Sequence, residues 1–168
     1  MKPVPDIIKP QLSILFIGFN PGLRSAETGK HFAGHSNRFW RLLAESGLTP
    51  RQLKPEESDE LLAFGYGITN IVARPSKAAA EISKAEYQEG GKVLKQKLVA
   101  FRPKVACYAG IGVYREFATV KEVTCGLQSD SLVPGVADFV LPSPSGLNRI
   151  SFADQLHWYC ELRKLAAK

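Results

Sequence analysis

The sequence predicts an α/β fold with a largely parallel central sheet covered on both faces. Short apolar segments with no polar alternation recur along the 168 residues, as strands buried on both sides require. Amphipathic helical segments fall between them. Two unusual loops, GFNPG at 18–22 and SPSGLNR at 143–149, follow the first and last of these strands. In an open parallel sheet, ligands sit beyond the carboxyl ends of the strands, so both loops can line one cleft.

Residues 12–17, LSILFI, read as the first strand because nearly all are apolar and β-branched or aromatic types recur. A helix is expected over 37–46, with Ser36 as N-cap, Phe39, Leu42 and Leu43 on one face, and Gly47 as the stop. Short helical pieces are expected after Thr49-Pro50 and across 56–64, and GYGITNIV suggests a second strand ending near Asn70. The strongest helix signal starts at Ser83, where Glu86 completes a capping box and Tyr87, Leu94, Leu98 and Phe101 share a face. Gly90 and Gly91 interrupt it at a cost of about 1 kcal/mol each relative to alanine, so a close approach to that backbone is expected. A strand KVACYAG, a short helix after Gly110, a turn-rich stretch over 121–135 and a strand DFVLP follow. The closing helix starts at Ser151, with Asp154 in the capping position and Phe152, Leu156 and Tyr159 buried.

No repeat or linker divides the chain, so residues 1–168 are expected to form one domain. Lys and Arg number 22 against 16 Asp and Glu, a formal charge of +6 that suits an anionic partner. Cys107, Cys125 and Cys160 lack CxxC spacing and read as reduced thiols. No segment reads as membrane-spanning or as a secretory signal. A soluble cytoplasmic protein is therefore expected, associated with the nucleoid in a bacterium or placed in the nucleus of a eukaryote.

Several chemistries lack their motifs. The sequence has no GxGxxG, no GxxxxGK[ST] and no GxSxG, and SPSG is not a nucleophile elbow. His31, His35 and His157 form no metal-ligand spacing with the scattered cysteines, so neither a metal nor another cofactor is expected. What remains is an amide, Asn20, an aromatic, Phe32, a second amide, Asn70, and a small-residue loop tipped by Leu147 with Arg149 behind it. A nucleobase pocket needs a ring to stack on and amides to read an edge. An apolar wedge beside a glycine can fill the gap left by an extruded base.

GFNPGLRSAETGKHFAGHSNRFW together with LPSPSGLNR resembles the mismatch-specific uracil-DNA glycosylase and thymine-DNA glycosylase family. The likeness continues through GITNIVARPS, EGGKVLKQKL and GLQSDSL, from Leu12 to Arg163. It implies a three-layer α/β/α sandwich with a short, mostly parallel sheet. It further implies that Asn20 positions the water that attacks C1′ of a flipped nucleotide, that Phe32 stacks on the base, and that Ser25 lies near C5 of the pyrimidine. Asn70 falls near the base, His31 adjoins the stacking ring, and Phe19 stands at the pocket where isoleucine is common. In the insertion loop, which begins at Ser143 and Ser145, Gly146, Leu147 and Asn148 match the segment that enters the duplex and meets the widowed guanine. Arg149 matches a phosphate contact. Ser143 and Asn148 depart from the bacterial pattern NPSGLSR, and Ser143 also occurs in thymine-type members.

The implied activity is that of a monofunctional glycosylase of base excision repair. It would remove uracil, with thymine and ethenocytosine as further candidates, from mispairs with guanine in double-stranded DNA. The implied partners are DNA carrying G·U or G·T, and enzymes acting downstream on abasic sites; a monomer is expected. A glycosylase preferring deaminated purines such as hypoxanthine or xanthine, and a non-catalytic DNA-binding relative, are the alternatives. Asn20 cannot take a proton near neutral pH, so the glycosidic bond would break before water adds. An aspartate at position 20 could also hold water.

Overall fold

The computed structural model describes residues 2–168. Five strands form one sheet: β1 (Ile14–Gly18), β2 (Tyr66–Asn70), β3 (Val105–Ala109), β4 (Gly126–Leu127) and β5 (Ala137–Leu141), in the order β2-β1-β3-β5-β4. All pairings are parallel except the short antiparallel β4–β5 pair at one edge. At the other edge the N-terminal arm adds an antiparallel bridge between Ile7 and Ile68.

Alternation along the strands builds two cores, because successive side chains point to opposite faces. Ile14 and Phe16 of β1 face the layer made by α2 (Phe39–Glu45), α5 (Phe152–Ala166) and a 3-10 helix (Pro55–Phe64), packing with Leu42, Leu43, Tyr159 and Leu162. Leu15 and Ile17 face α3 (Lys84–Phe101) and α4 (Ile111–Ala118), where they meet Leu94, Leu98 and Val113. The result is the three-layer α/β/α sandwich with its mostly parallel sheet. The Ser83 capping box forms in full, and at Ser151 only the serine's half of it does. Ser83 Oγ accepts from Glu86 N–H while the Glu86 carboxylate accepts from Ser83 N–H, and Ser151 Oγ accepts from Asp154 N–H.

Four local expectations need correction. Strand β1 starts two residues later than the apolar run. The 37–46 helix starts at Phe39, with Arg38 as its N-cap. Ser36 is pressed against Gly146 of the distant 143–149 loop, and Asn37 Oδ1 accepts from Phe39 N–H at 2.9 Å. The segment after Thr49-Pro50 is a bend rather than a helix, because Thr49 N–H returns to Leu43 O and its hydroxyl donates to Arg51 O. A six-residue helix, α1 (Leu23–Thr28), was not expected; it has no side-chain N-cap and no acidic residue in its first turn, so it carries no start signal.

Gly90 explains itself in the fold. A Cβ there would overlap the backbone carbonyl of Ile71, just beyond β2, whereas a Cβ on Gly91 would meet only Phe117 Cδ1 at 3.6 Å. Helix α3 therefore lies directly against the chain leaving β2.

Candidate active site

Strands β1, β2, β3 and β5 end at the same edge of the sheet, with Gly18 paired to Asn70 and Ala109 to Leu141. The pairing of β1 with β2 continues past both strand ends. Ile71 N–H donates to Gly18 O at 2.9 Å, Val72 N–H to Phe19 O at 2.9 Å, and Ser76 N–H to Pro21 O at 3.1 Å. These rungs fasten GFNPG to the 71–76 segment. Between that loop and the chain after β5 lies a cavity of about 290 Å³, lined by residues 18–25, His31, Phe32, Gly34, Asn37, Asn70, Ala109 and residues 143–145. No Asp or Glu lines it among the described residues.

The orientation of Asn20 is fixed by what surrounds it. Its Nδ2 donates to Arg74 O at 2.7 Å and to Ser76 Oγ at 2.8 Å. A carbonyl can only accept, and the Ser76 hydroxyl gives its own proton to Ala78 O at 2.8 Å. Both amide hydrogens are thus committed to the 74–76 segment. Oδ1 takes no donor from the protein among the described residues, which leaves one fixed acceptor able to hold a water.

Phe32 supplies a flat wall. It has φ of +49°, a left-handed conformation that costs a non-glycine residue about 1–3 kcal/mol. One face of its ring stacks on Phe39, centroids 4.1 Å apart and planes at 25°, and Phe39 is itself locked edge-on between Phe16 and Trp40. The partly exposed ring also lines the cavity. Buried Ser25 accepts from Ala33 N–H at 3.2 Å, tying α1 to the turn after Phe32. Gly18 forms the floor: a Cβ there would lie 2.7 Å from Asn70 Oδ1 and 3.7 Å from Phe32 Cζ. The Asn70 amide has no protein partner among the described residues, so both of its ends are available to a ligand edge.

His31 is buried, and its Nε2 lies 2.7 Å from Pro5 O. The carbonyl requires a proton on Nε2, and burial holds the ring below the usual histidine pKa, leaving Nδ1 an unprotonated acceptor. Phe19 contributes mainly backbone. A Cβ on Gly112 would fall 2.5 Å from Phe19 Cζ, and the ring meets Tyr87 edge-on with centroids 6.2 Å apart, so it packs toward α3 and α4.

The 143–149 loop brings Ser143 and Ser145 to the cavity and carries Leu147 away from it. Leu147 is 92% exposed. Hydrogen bonds internal to the loop brace it: Ser145 N–H to Ser143 Oγ, Leu147 N–H to Ser145 Oγ, and Asn148 N–H to Ser145 O. Asn148 spends its side chain inside the loop, donating to Ser143 O at 2.9 Å and accepting from Ile150 N–H at 3.1 Å. Gly146 is pressed against Ser36, where any side chain would collide. Arg149 points outward, exposed and with no partner among the described residues.

A sequence model of the Uracil DNA glycosylase superfamily matches residues 5–164. The chain belongs to that superfamily. Its fold is also similar to the solution NMR structure of a protein from Methanosarcina acetivorans described as a candidate uracil DNA glycosylase, with a TM-score of 0.67 and 20% identity over 98% of this chain and 97% of that one. At that identity the likeness concerns the fold.

Within this superfamily member, the structure gathers Phe19, Asn20, Ser25, His31, Phe32, Asn70, Ser143 and Ser145 around one cavity. Gly146, Leu147, Asn148 and Arg149 do not line it. Sequence reasoning missed Ser76, Asn37 and Arg24, which respectively orient Asn20 and line the cavity. Ser76 lies in the GITNIVARPS segment, but nothing in its spacing shows that strand pairing continues far enough to bring it to Asn20.

Proposed function

We propose that the protein is a monofunctional DNA glycosylase that extrudes uracil mispaired with guanine from double-stranded DNA and hydrolyses its N-glycosidic bond. The observation that carries this reading is the tethered amide of Asn20, with Oδ1 free in a base-sized cavity that contains no carboxylate. The Asn20 amide can place a water but cannot take its proton. Bond breaking therefore leads. The C1′–N1 electron pair leaves with the pyrimidine, an oxocarbenium sugar forms, and the water held by Asn20 adds to C1′ and gives up its proton, which the departed pyrimidine anion takes as it becomes the neutral base. Donors aimed at the departing base, such as the Asn70 Nδ2 group and backbone N–H groups of the loop, stabilise the anion as it forms. Phe32, backed by Phe39, offers the base a preformed surface.

Leu147 supports a duplex substrate. Burying a leucine side chain is worth about 1.5–3 kcal/mol, comparable to the few kcal/mol that unstacking a base costs. Leu147→Ala is expected to slow excision from a G·U duplex on the order of tenfold to a hundredfold, and single-stranded uracil DNA far less. Arg149→Ala should instead weaken binding to all sequences and lower the salt slope by about one. A folded Leu147 variant with an unchanged duplex rate and unchanged product release would remove the wedge from this account.

Ser25 supports a preference for uracil. It is buried beside the stacking wall, so a pyrimidine methyl directed at it meets a hydroxyl already engaged by Ala33 N–H. Wild-type protein is expected to excise uracil faster than thymine from matched G-mispaired duplexes, and Ser25→Ala to narrow the ratio. Single-turnover rates on the two duplexes check this, and equal rates for the wild type would refute it.

The test of the whole reading is base release from duplexes containing G·U, G·T, hypoxanthine or ethenocytosine in competition. Uracil released first supports it. Hypoxanthine released first would assign the protein to deaminated purines, and binding without release would make it a non-catalytic DNA binder.

A further inference from the structure

An apolar tip that enters a base stack has to project into water before DNA arrives, although collapse onto the protein would bury it. The hydrogen bonds inside the loop shape it, and a contact from outside must fix how it stands on the protein. We propose that Arg38 is a positioning residue that latches the 143–149 loop to the base-stacking wall and holds Leu147 in its projecting position, an inference that rests on the glycosylase reading for its consequence but not for its geometry.

Arg38 reaches both limbs of the loop. Its backbone N–H donates to Pro144 O at 2.9 Å on the entering limb. On the leaving limb its Nη1 lies 3.3 Å from Asn148 O and 3.5 Å from Ile150 O, so one guanidinium nitrogen spans two carbonyls. Buried Gln155 secures the same stem through Nε2 to Ile150 O at 3.0 Å. Arg38 has no acidic partner among the described residues, so the loop carbonyls are its protein ligands. The contact is reinforced by Gly146 against Ser36, two residues before Arg38. Arg38 also directly precedes Phe39, whose ring backs Phe32. The base-stacking wall and the insertion loop are thus joined through one short segment, 36–39.

The physical gain is pre-organisation. A loop already held in its inserting shape does not lose that conformational freedom when it meets DNA. Arginine suits this task because its planar fork offers several donors in fixed directions, whereas lysine presents a compact charge on a flexible stem. Arg38 could alternatively serve only as a phosphate contact, and the two roles separate experimentally. A phosphate contact needs the charge. A latch needs the contacts to the Asn148 and Ile150 carbonyls and acts through Leu147.

The experiment combines Arg38→Met, Arg38→Lys, Leu147→Ala and the Arg38→Met/Leu147→Ala double variant. In DNA-free protein, amide hydrogen exchange is expected to quicken at residues 145–150 in both Arg38 variants and to stay unchanged in the central strands, which also confirms folding. In single-turnover excision from a G·U duplex, Arg38→Met is expected to lose about tenfold, the scale of a modest misplacement of a positioned group. In the Leu147→Ala background the same change should cost less than about twofold, because the latch acts through the missing tip. Unchanged loop exchange overturns the proposal. So do additive losses in the double variant, or recovery of rate in Arg38→Lys while loop exchange stays fast, which would make Arg38 a phosphate contact. If the wild-type protein releases no base from any duplex, the glycosylase reading falls, and loop exchange in the DNA-free variants still decides whether Arg38 is the brace.

Discussion

A protein carrying Asn20→Ala is expected to bind a G·U duplex nearly as tightly as the wild type and to lose on the order of a hundredfold or more in single-turnover uracil release, the scale of losing a group that positions a reactant. Binding survives because the 143–149 loop and the basic surface do not depend on Asn20. Release fails because no other side chain lining the cavity offers an oriented acceptor at that position. Uracil release by Asn20→Ala at the wild-type rate would show that the water is held elsewhere. Asn20→Asp is the sharper variant. Considered alone, a carboxylate could hold the water as well. In the fold, however, Nδ2 donates to Arg74 O at 2.7 Å, and an ionised carboxylate has no proton to give it. Two oxygens at that separation repel, so Asn20→Asp is expected to swing out of register and lose most of the activity. A fully active Asn20→Asp would show that the tether to Arg74 O is dispensable.

Gly90→Ala and Gly91→Ala are expected to change stability in opposite directions, although each replaces a glycine inside the same helix. Helix propensity favours alanine by about 0.8–1.0 kcal/mol at either position. At Gly91 that gain is kept, since the nearest atom to a new Cβ is Phe117 Cδ1 at ordinary contact distance. At Gly90 the methyl would overlap the Ile71 carbonyl, a backbone atom fixed by the continued β1–β2 pairing. Overpacking a fixed contact costs about 1–3 kcal/mol or more, which outweighs the propensity gain. Urea denaturation should show Gly91→Ala shifted to higher and Gly90→Ala to lower midpoint. Excision should fall as well in Gly90→Ala, because the displaced segment leads to Arg74 and Ser76, which orient Asn20. A Gly90→Ala protein as stable as the wild type would mean that α3 can move away from the sheet without penalty.

The site was legible where its chemistry depends on residue type. Asn20 and Leu147 stand out locally, as an amide in a Pro-Gly turn and a leucine at a polar loop tip, whereas Phe32 and Asn70 are read as site residues only through the resemblance that the two loops carry together. The Gly90-Gly91 pair signalled a close approach, but which glycine made it could not be read, since adjacent helix positions differ by about 100° in direction. The helix start at Phe39 was misread for a related reason. Ser36 has the composition of an N-cap, yet its place is taken up by a contact with Gly146 from a loop more than a hundred residues away in sequence. Helix α1 was missed because it carries no start signal and is held by tertiary contacts such as Ser25 to Ala33.

The sequence by itself determined the alternation of strands and helices, the two strongest caps at Ser83 and Ser151, and the two loops that had to meet at the carboxyl end of the sheet. These follow from periodicity and hydrogen-bonding capacity within a few residues, which a linear reading contains. Only the tertiary structure decided which way the Asn20 amide faces, that Asn148 is consumed in bracing its own loop, that the Phe19 ring turns toward α3 and α4, and that Arg38 spans the 143–149 loop. The Asn20 and Arg38 bonds join donors and acceptors far apart in the chain, the Phe19 ring is turned by packing against distant residues, and the Asn148 bonds, though local, form only in the shape that the folded loop takes.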